Sequence, residues 1–115
     1  MDNQQKIDLL TKLLNGIASK RHKWVVGGIV NGGGEVYSLS FTKSSLLLID
    51  KSVQDSDDPY IIHFMNSEGK SVETLRIQSF PKEVNAKGAL QKVIAHIKDQ
   101  TYGISDTIND VFENL

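Results

Sequence analysis

The sequence contains no cysteine, which excludes disulfides, thiolate metal sites and cysteine nucleophiles and permits a reducing compartment. It has almost no net charge either. Thirteen basic against fourteen acidic side chains leave a formal charge of −1, so there is no general electrostatic pull toward nucleic acid or an anionic membrane. Long hydrophobic runs are missing as well: the longest, 46–49, has four residues, far short of the roughly 20 that cross a bilayer. After Met1 the N-terminal stretch Asp2 to Gln5 is polar and lacks the apolar centre of a signal peptide, so a cytoplasmic location without membrane contact is expected. Repeats, low-complexity tracts and separating linkers are absent too, and one domain over 1–115 is the expectation.

What the chain does have is a composition suited to a single core. Hydrophobic residues at 39% and charged residues at 23% are too apolar for disorder and too charged for a membrane protein. A chain of this length buries about 60–70% of the surface its unfolded form exposes.

Ile7, Leu10, Leu14, Ile17 and Ala18 fall on one helical stripe, with Asp2 and Gln5 at capping-box spacing. Leu9 and Leu13 widen the apolar arc beyond what one sheet contact requires, which predicts two covering surfaces. From Trp24 the signals change to strand, in a β-branched run through Val30 that Gly27 and Gly28 interrupt, marking a bulge or a close backbone contact. Asn31 to Gly34 then reads as a hairpin turn. Over 36–42 the pattern alternates, placing Tyr37, Leu39 and Phe41 opposite Val36, Ser38, Ser40 and Thr42. The unbroken apolar run 46–49 predicts an interior strand covered on both sides.

A polar, acidic loop is expected over 50–59, followed by a hairpin of 60–65 and 72–78 around Asn66 to Gly69. Beyond Phe80 and Pro81, Ala86, Ala89, Leu90, Val93, Ile94 and Ile97 line a helix to about residue 100. Tyr102 and Gly103 break it, and Ser105 is placed to cap a last helix with Ile108, Val111, Phe112 and Leu115 on its apolar face. The fold class expected is therefore α+β. About five antiparallel strands run in meander order, with the N-terminal helix and two C-terminal helices packed mainly on one face.

No chemistry-bearing motif survives inspection. The glycines of 27–34 lead into a strand, whereas a phosphate loop leads into a helix and carries a Lys-Ser/Thr pair. His22, His63 and His96 lie on three different elements, and Asp55, Asp57 and Asp58 lack the glycine and final Glu of a calcium loop, so no metal or cofactor is expected. No nucleophile elbow is present, and no catalytic residue is assigned. Lys20, Arg21, His22 and Lys23 form the one compact basic cluster, better explained as cations at a helix C-terminus than as a nucleic-acid site.

The outward sheet face is the more informative surface. With the alternate side turned to the helices, it carries Ser38, Ser40, Ile61, His63, Met65, Thr74 and Arg76, a blend of apolar groups with a few polar anchors that suits a protein interface. The sequence thus points to a non-enzymatic protein-binding module of adaptor, chaperone-like or immunity type, binding a protein partner or itself as a homodimer. The alternative is a small-molecule-binding or enzymatic domain whose sheet–helix pocket would gather His63, Arg76 and Tyr60 or Tyr37.

Overall fold

In the computed structural model, which describes residues 1–20, 22–30, 34–53 and 58–115, a helix α1 (Asn3–Ser19) is followed by five strands. These are β1 (Val25–Val30), β2 (Gly34–Ser40), β3 (Ser45–Asp50), β4 (Tyr60–Met65) and β5 (Ser71–Arg76). A single 3₁₀ turn, Ile77–Ser79, leads to α2 (Ala86–Tyr102) and α3 (Ile104–Asn114). The strands form one antiparallel sheet in the order β1-β2-β3-β4-β5, the meander that the alternation and turn signals predict.

Local chemistry sets each boundary. Asp2 accepts the Gln5 N–H at 2.8 Å while Gln5 Oε1 accepts the Asp2 N–H at 3.0 Å, closing the capping box at the start of α1. Asn85 caps α2 by accepting the Gly88 N–H at 2.9 Å. In β1 the register with β2 slips between Val26 and Ile29, where Gly28 takes a φ of +73° that a side chain would resist. The predicted turn at 31–33 lies outside the described residues. Between β4 and β5, Asn66 Oδ1 accepts the N–H groups of Glu68 and Lys70, each at 3.0 Å, and closes the hairpin.

One face of the sheet carries the core. The cross-strand row Tyr37, Leu48, Ile62 and Leu75 packs with Leu10 and Leu13 of α1 and with Leu90, Val93, Ile94 and Ile97 of α2. Tyr37, Leu48 and Ile62 are completely excluded from solvent. β3 is the central strand, as its apolar run predicts, yet helices cover it on one side only. Leu46 and Leu48 are buried beneath them, whereas Leu47 and Ile49 on the other side are half-buried. A sheet with one helical layer leaves its other face outside the shared core.

Three further boundaries differ from the sequence expectation. β2 ends at Ser40 because the Phe41 N–H donates to the Ser44 carbonyl at 2.8 Å, so Phe41 sits in a turn with its ring 53% exposed instead of continuing the buried face. β5 stops at Arg76, whose N–H is taken by Ser79 Oγ at 3.0 Å in the 3₁₀ turn. The cap of α3 is not Ser105: Gly103 occupies that position with φ +61°, and the Ser105 N–H donates to Asp99 Oδ1 of α2 at 2.7 Å.

Helix α1 contains one packing device that propensity alone would misjudge. A Cβ at Gly16 would lie 2.1 Å from His22 Nδ1, so the imidazole ring occupies the notch the glycine leaves. Gly16→Ala, which would favour an isolated helix by up to about 1 kcal/mol, is expected here to destabilise the domain by about 1–3 kcal/mol through overpacking. Urea denaturation should show this loss, and Gly16→Ala combined with His22→Ala should recover most of the difference relative to His22→Ala alone.

Candidate functional site

The sheet register brings all seven outward residues to one face. Ser38, His63 and Thr74 share a row with Leu47; Ile61 and Arg76 share one with Val36 and Ile49; Ser40 and Met65 share one with Ser45 and Ser71. None of them joins the core cluster that α1 and α2 make with the sheet, although Ile61 is itself buried and Met65 lines the groove beside α1. At the centre, His63 Nδ1 lies 3.0 Å from Thr74 Oγ1 and 3.2 Å from Ser71 Oγ. Arg76 pairs with Asp58 at 3.9 Å, both partly in solvent, a contact worth at most about 1 kcal/mol.

Partial burial pushes the His63 pKa down, and the cations Arg76 and Lys51 push it in the same direction, so the ring is held toward its neutral form. The pocket that would have gathered His63, Arg76 and a tyrosine is not assembled. Tyr37 and Tyr60 lie on the opposite face, buried in the core, where the Tyr37 hydroxyl donates to Glu35. Burial first, and that bond second, raise the Tyr37 pKa far above its ordinary value and keep the phenol neutral. Among the described residues no group of His, Asp and Glu side chains could hold a metal ion. Asp55, Asp57 and Arg21 lie outside the described residues.

Two further surfaces stand beside the open sheet face. The first is an apolar groove of about 610 Å³ where α1 crosses one end of the sheet, walled by Leu9, Leu13, Leu39, Phe41, Phe64 and Val72. Lys12 and Lys43 stand among its lining residues, and among the described residues no carboxylate does. The breadth of the apolar arc on α1 was the signal for it, because Leu9 faces this groove beyond the central core.

The second surface is α3. Ile104, Ile108, Val111 and Leu115 follow at helical spacing along one stripe, with Phe112 on its flank, and they are 42%, 48%, 50%, 93% and 71% exposed in that order. Nothing in the described chain covers them. α3 neighbours chiefly α2, across a joint at Gly103 braced by Asp99 on Ser105, and the molecule measures 51 Å along its long axis against 32 and 30 Å. Its radius of gyration is 15.2 Å, where a compact chain of this length has about 13 Å.

No protein-family model, curated protein or solved structure matches this chain, so its function has to be read from its own surfaces.

The lowered His63 pKa has a pH consequence whose sign is fixed. Between the folded value and the ordinary 6.5 the unfolded state binds the proton and the folded state does not, so stability falls as pH drops below about 6.5. Denaturation at pH 7.5 and 5.5 should show a smaller difference for His63→Gln than for the unsubstituted chain.

Proposed function

We propose that this domain is a non-enzymatic protein-binding module, of adaptor, chaperone-like or immunity type, whose principal contact surface is the apolar stripe of α3. The observation that carries this reading is the exposure of the whole stripe. An isolated helix of 11 residues is marginal in water, and an amphipathic one ordinarily buries its apolar face. Helix-in-groove recognition uses anchors at this same spacing. The open sheet face, with Ser38, Ser40, Ile61, His63, Met65, Thr74 and Arg76, serves as a second contact region, since it combines apolar groups with Arg and Met anchors. A cytoplasmic setting is proposed with it, resting on the lack of cysteine.

The groove between α1 and the sheet favours a second reading, in which the domain binds a small amphiphilic molecule. Its size falls within the range of ligand pockets, and Lys12 and Lys43 could hold an acidic head while the walls take an apolar tail.

Ile108→Asp and Phe112→Asp distinguish the stripe from a structural element. Both positions are exposed, so thermal stability is expected to change by less than about 0.5 kcal/mol. Proteins retained by the unsubstituted domain from its native host should be lost by both variants and kept by Lys82→Ala, an exposed position outside both contact surfaces. Unchanged retention by the α3 variants would contradict the reading, as would a large loss of stability.

A further inference from the structure

We propose that His22 is a pH-sensitive latch: its neutral ring pins the chain leaving α1 against Gly16, and protonation releases that chain together with one wall of the apolar groove.

The latch joins a helix residue to the segment that follows the helix. Lys20, at φ +52°, turns the chain out of α1 while its N–H still donates to the Ile17 carbonyl at 3.3 Å. The His22 ring then lies back on the end of the helix. Only glycine at 16 admits it, since a Cβ there would run into Nδ1, Cε1 and Cγ of the imidazole. Packed in this way, Nδ1 is buried without a hydrogen-bond partner, although the residue as a whole keeps some contact with solvent. The same ring lines the groove with Leu9 and Leu13 and a second hollow with Trp24 and Ile97. His22 therefore stands where α1, the groove and the entry to β1 meet.

An unpartnered Nδ1 decides which charge state fits. A neutral imidazole has one proton, which it can hold on Nε2 while presenting Nδ1 to the helix as a bare lone pair. Imidazolium has a proton on both nitrogens, so the docked cation would bury an N–H that finds no acceptor. The surroundings oppose the cation as well. The charged residues that share a hollow with His22 are Lys12 and Lys20 of α1, Lys23 beyond it and Lys43 between β2 and β3, while α2 adds only the uncharged Ile97, Gln100 and Thr101. Among the described residues no carboxylate lines any of these hollows. A ring swung into water escapes both the missing acceptor and the lysines, so release is favoured as pH falls. The other histidines are held differently: His63 Nδ1 has Thr74 and Ser71 as partners, and His96 shares its hollow with the Asp99 carboxylate.

NMR of the full chain between pH 8 and pH 5 tests the latch. At pH 7.5, nuclear Overhauser contacts are expected between the ring protons of His22 and the α-protons of Gly16. They should disappear as the His22 Cε1–H signal moves to its protonated position, and the Gly16 amide signal should shift along the same curve while amides of β2, β3 and β4 stay in place. His22→Lys carries its charge throughout this range, so at pH 7.5 its Gly16 amide should already sit where the unsubstituted chain places it at pH 5. Contacts that are missing at pH 7.5, or that persist once the ring is protonated, would overturn the proposal. So would a His22→Lys chain whose Gly16 amide keeps the neutral-pH position of the unsubstituted chain. Loss of the strand amides together with the Gly16 contacts would overturn it too, because release would then be global unfolding instead of a local event.

Discussion

The row of Tyr37, Leu48, Ile62 and Leu75, pressed from one side by Leu10 and Leu13 of α1 and by Leu90, Val93, Ile94 and Ile97 of α2, is the contact on which the rest of this structure depends. Fully burying each such side chain is worth about 1.5–3 kcal/mol. A chain of 115 residues can build one such layer and little more. Once both long helices are committed to the same sheet face, the other face and the last helix must find their own terms with solvent or with another molecule.

Those two leftover surfaces solve the problem differently. The sheet face is blended: Leu47 and Ile49 are half-buried, while His63, Thr74 and Ser71 satisfy one another by hydrogen bonds at 3.0–3.4 Å. Such a face is tolerable in water. α3 has no comparable accommodation, because its stripe has no covering layer within the described chain and its direction is held by a joint of backbone and carboxylate. The Asp99 carboxyl is kept below its ordinary pKa by the bonds it accepts from Ser105, first from the backbone and then from the side chain. That carboxylate is therefore ionised at neutral pH, and the bonds it accepts from Ser105 are charge-assisted.

Periodicity made much of this fold legible. The alternation of Tyr37 and Leu39 against Ser38 and Ser40, and of Ile62 and Phe64 against His63 and Met65, already divides the two sheet faces correctly, because strand side chains have a period of two and the core takes only one set. The bulge at Gly27 and Gly28 and the capping box at Asp2 were equally visible, since each depends on neighbours within a few residues. What sequence could not carry is the relation between elements. Leu46 to Ile49 look equally apolar, and only the stacking of both long helices on one side decides which pair is buried. Phe41 continues the alternation in sequence but sits just past the end of β2, in its turn with Ser44, where it stays exposed at the groove. The groove depends on where α1 crosses the strands, and the exposure of Ile108 and Phe112 depends on one left-handed glycine at 103. The broad arc of Leu9 and Leu13 hinted at surplus apolar surface without locating what would meet it.

The central claim is that the core is complete without α3 and that α3 is uncovered within its own chain. Residue-resolved amide hydrogen exchange at the lowest workable concentration tests it most directly. The account predicts that amides of α2 and of β2, β3 and β4 exchange slowly, through global unfolding. Those of Ile104–Asn114 should exchange orders of magnitude faster. Core-like protection of α3 in the dilute chain would contradict it.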